Sequence, residues 1–242
     1  ICRFFRVFGL CFLSLLMGQQ AYANESQLKA QLIAGRFTHL AAGISSLVTA
    51  VEVKDGELVE SGAPLILFDC DGLKAGKAIA KAHIDAANAQ FNSLSKLHKL
   101  NSASALEVTL AATEQATAKG ELDSVAAKIK YCAINAPYQS RVVARHIQPY
   151  QYVEPGTELL HIYDPSSLEV QFVAPSSLLS QLSGNKAFSI HLDELGIDLT
   201  GNIIRTGGQI DPVSQTIKVY GKLNSHPAEL LEGMSGFVTL QP

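Results

Sequence analysis

A sequence that repeats itself across an interruption has few ways to fold. Residues 43–69 contain Val59-x-x-Gly62-x-x-Leu65 and end in Asp69. Residues 136–164 contain Val153-x-x-Gly156-x-x-Leu159 and end in Asp164. In both copies apolar residues alternate with polar ones, the pattern of short half-buried strands, and glycines at Gly56, Gly62 and Gly156 supply the positive φ that tight turns between strands require. The two copies are expected to form halves of one β-unit; two unrelated hairpins are the plainer alternative.

The interruption has a different grammar. From Asp71 to Tyr131 the chain is rich in Ala, Lys, Gln and Glu and lacks Pro. Apolar or small positions recur at gaps of three and four: Leu73, Lys77, Ala80, Ile84, Ala87, Phe91 and Leu94 on a first arm, then Val108, Ala111, Gln115, Ala118, Leu122, Val125 and Ile129 on a second. That spacing is a coiled-coil seam. Ser104 and Glu107 form an S-x-x-E capping box that starts the second arm. Folding the segment about Asn101 sets Leu73 against Ile129, Ala80 against Leu122, Ile84 against Ala118 and Phe91 against Ala111. Large residues thus meet small ones, as close antiparallel packing requires. The expectation is a helical hairpin with arms of about 28 residues, about 42 Å long.

After Asp164 the pattern returns to strands, with alternation over Leu168–Ala174 and further signals at Ala187–Leu192, Leu199–Arg205, Thr216–Leu223 and Gly236–Leu240; Pro175–Leu182 reads as a short helix. Several short strands in so little chain suggest a small β-barrel. The fold class expected is mainly β with a helical hairpin. The division expected is 1–23 a signal peptide, 24–40 a strand joining the barrel, 41–69 with 133–164 the split β-unit, 70–132 the hairpin, and 165–242 the barrel.

The signal peptide rests on Arg3 and Arg6, the apolar run Val7–Met17 and the A-x-A site Ala21-Tyr22-Ala23. A retained anchor is the alternative, but eleven helical residues reach about 17 Å against a bilayer core of about 30 Å. With this leader the mature protein is expected to be soluble and exported. The opening Ile1 in place of Met points to an unusual start codon or a truncated sequence. The net charge is −3, falling to −5 once Arg3 and Arg6 are removed. With no Trp and no basic cluster, nucleic acid is not an expected partner. The four cysteines contain no C-x-x-C, which excludes zinc ribbons and thioredoxin-like redox chemistry. Cys70 and Cys132 fall on the same pairing as the seam and face each other at the hairpin base. In an oxidising compartment a disulfide is expected; two buried free thiols are the alternative.

Catalytic chemistry is not evident. There is no G-x-S-x-G or H-E-x-x-H. The histidines, at 39, 83, 98, 146, 161, 191 and 226, have no i, i+4 pair, so no metal site is expected. His83 reads as a solvated helix face, and His98 as a polar seam residue or an exposed tip. The half-repeats resemble a biotinyl or lipoyl carrier module, but carriers need a lysine at the hairpin joining the halves. Here some 60 helical residues replace that hairpin and Lys54 lies inside the first half, so no cofactor is expected.

A β-unit split by a helical hairpin and followed by a small barrel resembles the periplasmic adaptor family, the membrane fusion proteins of the RND-efflux and HlyD type. The words that carry the resemblance are Val53-Lys-Asp-Gly56…Val59…Gly62…Leu65, Ile134-Asn-Ala-Pro137-Tyr-Gln-Ser140-Arg-Val142, Gly208-Gln-Ile-Asp-Pro-Val-Ser-Gln-Thr-Ile-Lys-Val219 and Leu231-Glu-Gly-Met234-Ser-Gly, in this order. The resemblance implies a lipoyl-like barrel-sandwich hybrid and no enzyme activity. It implies an adaptor that self-associates into a ring and links an inner-membrane transporter, RND type, to an outer-membrane channel of the TolC type for export of small molecules. An adaptor of an ABC or type I-like secretion system is the alternative. Such adaptors carry Arg, Leu and Ser around the hairpin tip; Leu97 and Ser104 match as docking residues, while Ser93 stands at the Arg position. Plain roles for the two are seam packing and helix capping. An extra membrane-proximal domain is not expected beyond Met234.

Overall fold

The computed structural model describes residues 27–182 and 185–241; the expected leader, 1–23, lies outside the described residues. The strands in chain order are β1 (Leu28–Ala34), β2 (Phe37–Ala41), β3 (Ser46–Val51), β4 (Leu58–Val59) and β5 (Pro64–Phe68). Helices α1 (Asp71–Lys99) and α2 (Ala105–Ile129) follow. Then come β6 (Ala133–Asn135), β7 (Ser140–Arg145), β8 (Tyr152–Val153), β9 (Glu158–Tyr163), β10 (Leu168–Pro175), β11 (Ala187–Leu192), β12 (Ile197–Asp211), β13 (Thr216–Leu223) and β14 (Ser235–Leu240). The chain is mainly β with a helical hairpin, a split two-sheet unit and a closed six-stranded barrel.

The repeat becomes two four-stranded sheets, ordered β2-β9-β7-β4 and β6-β5-β3-β8. The short strands β4 and β8 are exchanged, each pairing in the sheet built by the other half. An offset of 94 residues relates the halves bond by bond. Gly62 N donates to Ala136 O at 2.8 Å and Gly156 N to Ala42 O at 2.9 Å. Val48 N donates to Gln151 O and Val142 N to Glu57 O, both at 2.9 Å. The turn glycines have φ of 82° at Gly56, 83° at Gly62 and 89° at Gly156, a region that costs a side chain about 1 kcal/mol or more. At the counterpart of Gly56 stands Tyr150, with φ 67°. Between the sheets, Val48, Leu65, Ile66, Val142, Leu159 and Ile162 are almost wholly buried.

Each half leaves the unit by the same route. The outgoing strand β5 pairs with the incoming β6, and the equivalent β9 with β2, both antiparallel. The first exit carries the hairpin; the second carries the barrel. At the first, Asp69 Oδ1 accepts from Asp71 N at 3.1 Å; at the second, Asp164 Oδ1 accepts from Ser166 N at 2.9 Å.

The barrel runs β1-β10-β13-β12-β11-β14 and closes on itself, which removes sheet edges over the paired lengths. Its core centres on Leu32, Val170, Phe172, Phe188 and Ile190. The Phe188 ring lies so close to Gly201 and Gly221 that a Cβ on either would overlap it. Residues 24–40, expected together at the barrel, divide: β1 enters the barrel, while β2 crosses to pair with β9 in the split unit. The reason is local. Gly35 and Arg36 break the strand, and the backbone re-pairs through Gly35 N to Ser167 O at 2.8 Å and Asp164 N to Arg36 O at 3.0 Å. The strand signal at Leu199–Arg205 extends to Asp211, with register shifts between Ile203 and Ile210. The segment read as a short helix at 175–182 is a 3-10 turn over Ser176–Gln181.

Candidate docking surface on the helical hairpin

The two arms pack along a narrow seam. Ala80, Ile84, Ala87, Ala111 and Ala118 are its buried residues, and small side chains let the backbones approach. Lys77, expected in the seam, is exposed; Gly76 takes the place, where a Cβ would stand 4.0 Å from Val125. An ammonium keeps its hydration by pointing outward, and the residue without a side chain turns in. Polar ties run across both sides of the seam. Gln115 Nε2 donates to Asn88 Oδ1 at 2.7 Å. His83 bridges the arms, with Nδ1 3.0 Å from Glu121 and Nε2 2.9 Å from Glu114. The hydrogen bonds to Glu121 and then Glu114 hold its pKa above the usual histidine range. His83 therefore lies on a solvated face, as its pattern suggested, and also ties that face together.

At the base, Cys70 and Cys132 are disulfide-bonded, with Cα atoms 5.9 Å apart and a sequence separation of 62. Cys70 is buried, and both pack against the core of the split unit. Tyr131 lies flat over Gly43, where any Cβ would overlap its ring. The hairpin thus leaves the β-unit through a covalent clasp with an aromatic plate beside it.

At the tip, α1 ends when Leu100 N and Ser102 N bond back to Leu97 O, at 3.0 and 2.8 Å, and Asn101 adopts φ 56°. His98 Nδ1–H donates to Ala103 O at 2.8 Å, so this histidine closes the tip loop. Ser104 caps α2: its Oγ accepts from Glu107 N at 3.2 Å, and Glu107 Oε2 accepts from Ser104 N at 2.7 Å and from its Oγ at 2.8 Å. Those bonds hold the Glu107 carboxyl below its usual pKa. The Ser104 hydroxyl is fully engaged in the cap. Leu97 is 40% exposed, and at the same end of the hairpin Leu100, Leu106 and Leu110 are 71%, 67% and 60% exposed. These three were not singled out from sequence, although a signal was present: they are leucines outside the seam series. Leu94, Leu110 and Ala111 line a shallow groove of about 670 Å³ rimmed by Glu107 and Glu114. Ser93 is exposed on the outer side of α1.

What this surface can do is bind. It offers apolar side chains on a capped, rigid helix end, with a carboxylate rim. Among the described residues no group of three or more His, Cys, Asp or Glu could hold a metal ion, and no helix is long and apolar enough to cross a membrane.

No family model matches the chain. It is 22% identical over 231 residues to the nodulation protein NolF of Rhizobium meliloti (strain 1021), a match that covers 89% of this chain and 63% of that protein. Several solved structures share its architecture. A MacA–MexA chimeric protein containing the Pseudomonas aeruginosa MexA α-hairpin domain superposes with a TM-score of 0.76 at 16% identity, over 88% of this chain and 79% of that one. The membrane fusion protein Spr0693 from Streptococcus pneumoniae R6 gives 0.72 at 15% identity, over 89% and 98%. The chain has the fold of membrane fusion proteins.

Proposed function

We propose that this chain is a periplasmic adaptor without catalytic activity. In this reading residues 1–23 are removed on export and the remainder sits in the periplasm. There it self-associates into a ring and links an inner-membrane efflux transporter, RND type, to an outer-membrane channel of the TolC type. The split unit (41–69 with 133–164) is the hub, the hairpin (70–132) the strut toward the channel, and the barrel (165–242) the part nearer the transporter. The observation that carries the reading is the leucine-covered tip. Four exposed leucines lie at the far end of a hairpin whose base is clasped by a disulfide. Large apolar side chains left exposed beside a carboxylate rim mark an interaction site, and a strut held at its base places them away from the body. The fold shared with membrane fusion proteins supports the same role.

The test is transport in a strain carrying Leu97→Asp together with Leu110→Ser. Export of the cognate small molecule should fall to the level of the deletion strain, while the protein remains abundant in the periplasm and melts within a few degrees of wild type. Undiminished export by a folded variant would end the docking reading. Unfolding of the variant would assign these leucines to packing instead.

A further inference from the structure

The exit that carries the barrel differs from the exit that carries the hairpin at one rung. In the first, Leu67 on β5 faces Ala133 on β6. Ninety-four residues on, His161 on β9 faces His39 on β2. Their rings stack at 4.2 Å between centroids and 12° between planes, with Phe37 edge-on to both. His39 Nδ1 lies 2.6 Å from Glu158 Oε1, and His146 Nε2, just beyond β7, reaches the same oxygen at 3.8 Å. His161 Nε2 is buried without a hydrogen-bond partner. The remaining charge facing this ring comes from the barrel, at Glu232, whose backbone N donates to Tyr163 OH at 3.4 Å.

We propose that the stacked His39–His161 pair is an acid-sensitive joint, at which protonation of His161 loosens edge strand β2 from β9 and so frees the barrel to move against the split unit. Both chain crossings between these bodies, Gly35–Arg36 and Asp164–Ser167, lie within a few residues of this rung. A proton on His161 places a cation 4.2 Å from a ring whose own Nδ1 already engages Glu158, and in the protonated ring Nε2 carries an N–H with no acceptor; each disfavours the closed stack. Burial, and then the charge of His39, depress the His161 pKa, with Glu232 and Glu158 opposing. The sign follows. A histidine whose folded pKa is depressed takes up its proton more readily when the strand is open, so closure is favoured at neutral pH and lost as pH falls through and below about 6.5. Among the described residues β2 pairs with β9 alone, so no second strand holds it when this rung fails, and the contact left at its outer part is the one between Thr38 Oγ1 and Tyr138 OH, at 2.8 Å. The joint needs no partner protein, so it goes beyond the adaptor reading and stands or falls separately from it.

The experiment compares hydrogen exchange of the 37–41 amides, corrected for intrinsic rates, in the full mature protein at about pH 7.5 and about pH 5.5. Wild type should lose protection of this segment at the lower pH, with β5 and β6 unchanged. His161→Phe, which keeps a ring in the stack, should retain protection at both. The double change His39→Ala with His161→Leu, which installs the Leu–Ala rung of the other exit, should do the same. The His161 Cε1–H resonance of wild type should titrate below the ordinary histidine range. Equal protection of wild type at both pH values, or equal loss in wild type and both variants, would overturn the joint whatever the transport assay shows.

Discussion

Where the hairpin leaves the β-unit, Leu67 faces Ala133 and Cys70 is bonded to Cys132. Where the barrel leaves it, the same rung holds His161 against His39, and Asp164, at the position of Cys70, is paired with Arg36 at 3.4 Å. The two exits have one backbone and two kinds of closure. One is apolar and covalent, and neither pH nor salt reaches it. The other is built from ionisable groups, partly exposed at His39 and Arg36, which respond to both. Even the buried serines diverge: Ser46 Oγ donates to Asp69 O at 2.7 Å, whereas its counterpart Ser140 Oγ is buried without a partner. A duplicated fold can therefore fix the direction of one attachment and leave the other adjustable, by changing a few side chains around the same ladder.

The comparison can be broken most severely at the disulfide. Cys132→Ser should lower stability by about 2–4 kcal/mol, because a 62-residue loop is no longer closed in the unfolded chain. The melting temperature should fall by on the order of 10 °C. Thermal unfolding with and without reductant checks this. Reductant should shift wild type toward the variant and leave the variant unmoved. Alkylation of the unfolded, unreduced wild-type chain should label neither Cys70 nor Cys132.

A smaller effect tests whether the halves are energetically alike as well as geometrically alike. Gly62→Ala and Gly156→Ala each place a methyl group at positive φ, in turns with mirrored hydrogen bonds and open space around the Cβ. Each should cost about 1–2 kcal/mol in denaturant unfolding, and the two values should agree within about 0.5 kcal/mol. A large disagreement would show that the exits, rather than the turns, dominate the halves.

The smallest effect is expected at the adjustable exit. Arg36→Ala removes the ion pair to Asp164 and the cation–π contact over Tyr138, at 5.0 Å. Arg36 is largely exposed, so solvent screens the pair and the loss should be about 0.5–1 kcal/mol. Adding salt should narrow the gap between wild type and variant in unfolding measurements, because screening weakens the exposed pair in wild type only.

Much of this architecture was legible before any coordinates. The repeat announced itself through Val59, Gly62 and Leu65 against Val153, Gly156 and Leu159, because a tight turn at positive φ and a half-buried strand are local demands on residue type. The hairpin was legible through its seam and through Ser104 with Glu107, because helix periodicity and capping are also local. At Lys77 the same periodicity misled. Spacing alone cannot tell a long cation from the glycine beside it, and desolvation of the ammonium decided for Gly76. Leu100, Leu106 and Leu110 were readable only as leucines out of register; their exposure depended on where the second arm lies.

What the sequence determined by itself, then, is the strand signals of the barrel, the antiparallel hairpin and its turn, and the halving of the β-unit, all properties carried by neighbours within a few residues along the chain. Tertiary structure decided the exchange of β4 and β8 between sheets, the crossing of β2 out of the barrel, and the meeting of His39 with His161 across 122 residues of chain. Those outcomes rest on backbone hydrogen bonds and burial between distant segments, which no local pattern encodes. A strand's own residues specify that it needs a partner, and only the closed core specifies which partner it gets.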